Sequence, residues 1–137
     1  MKQLNQNFKV VQFIPISSVD VDTTGDTIDM RQTDMFAYDT ALVLAEIGGW
    51  TNGAENIVLT VQESDDPLFA TADDIERKEV AQNTSEIFQI ERRKRYLRVA
   101  VGLNSAEGAQ ILVNGLLWNA SIPFPIDKAI DMTQPES

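Results

Sequence analysis

A period of two runs through residues 54–63, where Ile57, Leu59 and Val61 fall on one side of an extended chain and Asn56, Val58, Thr60 and Gln62 on the other. Successive side chains of a β-strand point to opposite faces of a sheet, so this spacing predicts a strand with one face in a core. The signature recurs. Residues 8–16 carry Phe8, Val10, Val11, Phe13, Ile14 and Ile16, with Pro15 arguing for an edge strand or a strand end. Residues 87–90 and 96–101 follow, the latter with Leu97, Val99 and Val101 opposite Arg98 and Ala100, and residues 110–118 close the series, broken at Gly115 where a bulge or a close backbone approach is expected.

Three stretches read less simply. Residues 20–29 form a turn region from which Ile28 and Met30 start a short strand. Residues 38–47 fit a strand buried on both faces or a short helix, and strand is preferred because Gly48 and Gly49 end the run abruptly. The following Trp50, Thr51, Asn52 and Gly53 then predict a hairpin turn into residues 54–63. Residues 65–83 are polar and read as a surface excursion, within which 70–81 could supply one or two helical turns capped by Thr71, with Asp73 and Asp74 near the positive helix end.

Short strands at regular spacing with no amphipathic helix describe one all-β domain, a β-sandwich or jelly roll, which periodicity does not separate. The boundaries expected are an N-terminal arm at 1–7, the sandwich at 8–120 and a proline-containing tail at 121–137. That tail keeps Ile122, Phe124, Ile126, Ile130 and Met132 among Pro123, Pro125 and Pro135, so its apolar groups either cover an open end of the sandwich or lie on a neighbouring subunit. A length of 137 residues suits a single core.

Composition narrows the chemistry. There is no histidine and no cysteine, which removes the Ser-His-acid arrangement, thiol nucleophiles and the usual zinc sites together. Carboxylates remain, at Asp20, Asp22, Asp26 and Asp29 and again at Glu63, Asp65, Asp66, Asp73 and Asp74. A glycosidase needs two of them across a cleft, for instance Asp29 and Glu63. The competing reading, that aspartates in turns accept local backbone N–H groups, is the stronger one. The DVDTTGD stretch lacks the ligand spacing and terminal Glu of the twelve-residue calcium loop. No cofactor, no metal and no catalytic residue is therefore expected, and the chain is read as a non-enzyme.

A formal charge of −10 disfavours nucleic acid. The local reversal at Arg92, Arg93, Lys94 and Arg95, with Arg98 after it, is open to three readings: a solvated turn, a protein interface in which arginine forks meet carboxylates, or an anion site. Trp50, in its Gly-rich turn, is either an anchor for a partner or glycan or a side chain folded over the sandwich end; Trp118 is expected in the core. The N-terminal stretch has no signal-peptide pattern and no run is long enough to cross a bilayer as a helix, so cytoplasmic synthesis is expected.

The segment IDMRQTDMFAYDTALVLAEIGGWTNGAENIVLTVQESDDPLFATADD, with KRYLRVAVGL after it, resembles small proteins of tailed phages and prophages encoded near the major capsid protein. The similar elements are a DM before the YDxxL-type strand, the turn with Asn52 and Gly53, the LTVQESDD strand end with Phe69 after it, and the Arg95-Tyr96-x-Arg98-Val99 strand. The resemblance implies a virion structural protein, a head decoration or cement protein with a jelly-roll-like fold. It implies assembly as a homotrimer on the capsid exterior, with the phage major capsid protein as partner, and neither membrane nor nucleic acid as a target. The interface candidates are Trp50, Asn52, Asp65, Asp66, Phe69, Arg92, Arg93, Arg95, Phe124 and Ile126. The polar excursion at 75–85 and the proline-rich end depart from the pattern, which leaves a neck or tail role open; a carbohydrate-binding sandwich is the alternative outside virions.

Overall fold

The computed structural model describes residues 8–31, 37–53 and 55–119. Every regular element among them is a strand: β1 (Phe8–Val19), β2 (Thr23–Thr24), β3 (Ile28–Asp29), β4 (Thr40–Ile47), β5 (Asn56–Ser64), β6 (Asp73–Ala81), β7 (Thr84–Glu91), β8 (Tyr96–Gly102) and β9 (Ala109–Trp118). They form two antiparallel sheets, one in the order β1-β9-β4-β7 and the other in the order β2-β8-β5-β6, with β3 also paired to β8. Counting β2 and β3 as halves of one interrupted strand gives eight strands with the interleaved order of a jelly roll. The expected all-β, jelly-roll-like sandwich is the fold observed.

The alternation read from sequence sets the inner faces. Ile57, Leu59 and Val61 of β5 and Leu97, Val99 and Val101 of β8 are buried, and opposite them lie Ala41, Val43, Ala45 and Ile47 of β4 and Ile111, Val113 and Leu117 of β9. Burial of such branched side chains, each contributing about 1.5–3 kcal/mol, supplies the cohesion of the two layers. Phe13 enters the same core, and Gly115 makes room for it: a Cβ there would stand 2.6 Å from Phe13 Cε2. The irregularity lies on the partner strand, where the register of β1 slips between Gln12 and Ile14 and between Ile14 and Ser17, around Pro15. β1 is an edge strand of its sheet, as Pro15 suggests.

Three local expectations are corrected. Residues 48–55 do not close a hairpin, because β4 already has β7 and β9 on its two sides and β5 has β6 and β8; the chain crosses there from one sheet to the other. Residues 73–81 are not helical but form β6, paired along β5. Backbone pairing with an available strand outweighs a weak helical pattern, and the charges of DDIERKE suit an edge that must not recruit another chain. Trp118 is half-buried rather than a core residue. The arm at 1–7 and the tail at 121–137, with Phe124 and Ile126, lie outside the described residues.

Candidate functional site

At one end of the sandwich the basic run meets four carboxylates. Glu63 is the fourth member of the series Ile57, Leu59, Val61, so strand alternation aims its side chain inward, where it is 1% exposed. A polar group turned into the core needs hydrogen-bond partners there. The link from β7 to β8 provides them. Arg93 sets Nη2 at 2.9 Å and Nε at 3.0 Å from Glu63 Oε2, while the backbone N–H groups of Arg93 and Lys94 donate to Oε1 at 3.3 and 3.2 Å. Glu63 thereby fixes the path of the crossover between the sheets.

The rest of the run is used in the same way. Arg95 grips Asp29 through both ends of its fork, Nε to Oδ1 at 2.9 Å and Nη2 to Oδ2 at 2.7 Å, lies 5.0 Å from the Tyr96 ring centroid, and donates its backbone N–H to Asp65 Oδ1. That fork holds the Asp29 carboxyl below the usual carboxylate range, against partial burial and with help from the Arg31 backbone N–H. Lys94 Nζ stands 2.6 Å from Asp73 Oδ2, and the contact raises the lysine's affinity for its proton while lowering that of the aspartate. Arg92 donates its backbone N–H to Asp39 O, and its buried Nε has no hydrogen-bond partner in the structure.

Beside this cluster, residues 65–70 form a stiff loop. Ser64 Oγ accepts the Asp66 N–H, and the Asp66 carboxylate accepts the N–H groups of Leu68 and Ala70 at 3.0 and 3.1 Å. Phe69 takes a left-handed φ of 53° and is buried, with the Arg98 guanidinium 4.3 Å from its ring centroid. A left-handed bulky residue is uncommon and persists where its surroundings over-determine it. The loop therefore presents Leu68, 85% exposed, from a fixed frame.

Asp65, Asp66, Phe69, Arg92, Arg93 and Arg95 are thus brought to one corner, but the side chains of all of them except Arg92 serve one another, neighbouring acids or the loop. Trp50 and Asn52 lie beyond the far end of β5, about 30 Å away for nine residues of strand. Trp50 is 7% exposed and belongs to the core cluster, its backbone N–H donating to Gln82 Oε1. Asn52 is exposed in a turn at φ 58°, followed by Gly53 at φ 76°, where an added Cβ would meet the Ala106 backbone N at 2.4 Å. Glu63, Asp29, Arg98 and Leu68 complete the corner; sequence reasoning weighed Asp29 and Glu63 only as a catalytic pair and Arg98 only as part of the basic run, and it did not single out Leu68. Glu63 had a readable signal, its register with three core residues; Leu68 had none.

Asp29 and Asp66 accept local backbone N–H groups, as expected of turn aspartates, whereas Asp20 and Asp22 reach distant ones. Asp20 accepts the Gly108 N–H and Asp22 the Leu103 N–H, tying the segment after β1 to the 103–108 loop. Asp29 and Glu63, weighed above as a catalytic pair, each face their own arginine. Among the described residues no three metal-ligating side chains converge. A groove of about 500 Å³ between β6 and β7, lined by Ile75, Glu76, Gln89, Ile90, Glu91 and Arg93, is open to solvent.

No protein-family model matches the chain, and no curated protein matches its sequence. Solved structures align with it to different degrees. The PBSX exported protein XepA aligns with a TM-score of 0.59 at 12% identity over 88% of this chain, which spans only 39% of that protein. Murine APRIL aligns with a TM-score of 0.46 at 12% identity, covering 82% of this chain and 99% of its own. Tobacco streak virus coat protein aligns with a TM-score of 0.36 at 12% identity, covering 88% and 92%. What the XepA match establishes is a shared two-sheet β-sandwich.

Proposed function

We propose that this chain is a virion structural protein that decorates the outer capsid lattice of a tailed phage as a homotrimer, binds the major capsid protein and stabilises the head by adhesion. The observation that carries the reading is the corner itself. Arg93, Lys94 and Arg95 are committed to internal ion pairs, and the hydrogen-bonded loop at 65–70 leaves an apolar side chain, Leu68, projecting beside Pro67. A pre-ordered loop loses little conformational freedom on binding, and a protruding apolar residue is the kind of group that fills a pocket on a partner. Modest contacts of this kind become tight when a symmetric oligomer makes several at once.

Two further observations support it. The segments 28–74 and 94–103 that carry the resemblance to capsid-associated phage proteins build β4, β5 and β8 and this corner. The shared fold extends to a part of a protein described as exported and belonging to PBSX. The glycan-binding alternative rested on Trp50, whose ring is not available at the surface.

The test is co-sedimentation with expanded phage heads. The wild-type chain is expected to pellet with heads and to run as a trimer in analytical ultracentrifugation, and Leu68→Asp is expected to weaken capsid binding at least about tenfold with no change in unfolding midpoint. A monomer that ignores capsids, or a Leu68→Asp variant that binds as wild type does, would overturn the reading.

A further inference from the structure

The outer faces of the two sheets differ in chemistry. On the β2-β8-β5-β6 sheet, Arg98 Nε donates to Gln62 Oε1 and Gln62 Nε2 donates to Asp74 Oδ1, both at 2.8 Å, and the next row sets Ala100 and Thr60 beside Arg77. That face suits water. On the β1-β9-β4-β7 sheet the outward row Val10, Leu116, Leu42 crosses three strands, and Leu44 and Ile87 stand opposite each other in the next. Phe8 and Trp118, also paired, edge the face at the end where β9 stops. Val10 is 71%, Ile87 59% and Leu44 37% exposed. Gln89 completes the first row and the hydrogen-bonded pair Gln12 and Asn114 the second, so the apolar strip runs from Phe8 and Val10 across Leu116 and Leu42 to Leu44 and Ile87, and an exposed apolar strip marks a contact site.

We propose that residues 120–132 of the same chain lie across this outer face and cover it. The described chain ends at Asn119, one residue beyond Trp118 on the rim of the face, so the segment starts where it is needed. Its sequence, ASIPFPIDKAIDM, sets Ile122, Phe124 and Ile126 at every second position. Pro123 and Pro125 hold the residues before them extended and supply no ladder N–H, so the segment is disfavoured as a further sheet strand yet suited to lying over a sheet with alternate side chains down. Lengths agree: from Ile122 to Ile126 an extended chain spans about 13 Å, close to the roughly 14 Å across four strands about 4.8 Å apart. The three residues 120–122 reach about 10 Å, enough to rise from the β9 end to the packing distance above a sheet. The N-terminal stretch MKQLNQN begins at the same rim, but its single large apolar side chain after Met1 is Leu4.

Because the chain has no cysteine, one introduced thiol places one spin label. With a label on Ile126→Cys in the full-length protein, the methyl signals of Leu42, Leu44, Leu116 and Ile87 are expected to broaden severalfold more than that of Val58 on the other sheet, independently of dilution. The reverse placement, on Gln89→Cys, is expected to broaden Ile122 and Ile126. The variant Ile122→Ser/Phe124→Ser/Ile126→Ser, keeping both prolines, should raise binding of an apolar dye severalfold while leaving the chain folded. Absence of broadening from both label positions overturns the proposal. So does broadening that appears only between a spin-labelled copy and an isotope-labelled copy in a mixed sample, since that assigns the segment to a neighbour. None of these measurements depends on capsid binding, so they and the capsid assay fail separately.

Discussion

Arg93 and Arg95 stand two residues apart in one basic run and each holds a carboxylate, yet the two pairs contribute differently. Glu63 is buried and receives three donors besides Arg93 Nη2, two of them backbone N–H groups of the crossover itself. Asp29 is held in better fork geometry but both partners of that pair keep contact with water, the Arg95 side chain 35% and the Asp29 side chain 40% exposed. Geometry alone would rank the second pair higher. Burial reverses the order, because an acceptor withdrawn from water must find every hydrogen bond inside the protein.

The sharpest way to break the comparison is Glu63→Ala. It orphans the Arg93 and Lys94 backbone donors at the edge of the core, at about 1–3 kcal/mol each, so a loss of about 3–5 kcal/mol in urea unfolding is expected; a loss under about 1 kcal/mol would mean that the crossover finds its path without Glu63. Arg93→Ala should cost less, about 1–3 kcal/mol, because Glu63 keeps its two backbone donors and the guanidinium it loses was itself 66% exposed. Arg95→Ala belongs at the bottom of the ranking, with about 0–1 kcal/mol expected and a smaller effect as salt rises.

Acid sharpens the last case. The Asp29 carboxyl lies below its ordinary value of about 3.9 in the folded protein, chiefly through the Arg95 hydrogen bond. A carboxyl depressed by folding contributes stability that is fully present above the unfolded value and is lost as pH falls through the folded one. Thermal unfolding from pH 5 downward should show the gap between wild type and Arg95→Ala constant at first, then closing below about pH 4. A gap that widens on acidification would contradict the sign of the shift.

The same contrast explains how far the sequence could be read. The series Ile57, Leu59, Val61 announces both a strand and its inner face, and Glu63 continues that register, although the sequence reading grouped it with the carboxylates of turns. The Arg93 partnership was not readable, since thirty residues separate the two and the pairing exists only because β5 ends where the β7 to β8 crossover passes. Residues 70–81 failed for a related reason. Ile75 and Val80 make too thin a stripe to declare any period, and the free side of β5 decided the matter. Trp50 in its Gly-rich turn left two readings open, a surface anchor and a side chain folded over the sandwich end, and the crossing between sheets carries it into the core.

Local order, then, was largely written in the chain itself: outside β6, alternation marked the main strands and the faces that turn inward, and Gly115 marked a close approach. Strand partners, the jelly-roll order, the assignment of each arginine to its acid and the contrast between the outer faces were decided only in three dimensions. The physical reason is range. Side-chain alternation acts between neighbours along one strand, whereas sheet order and ion-pair choice depend on which distant segments the common core brings within a few ångströms of each other.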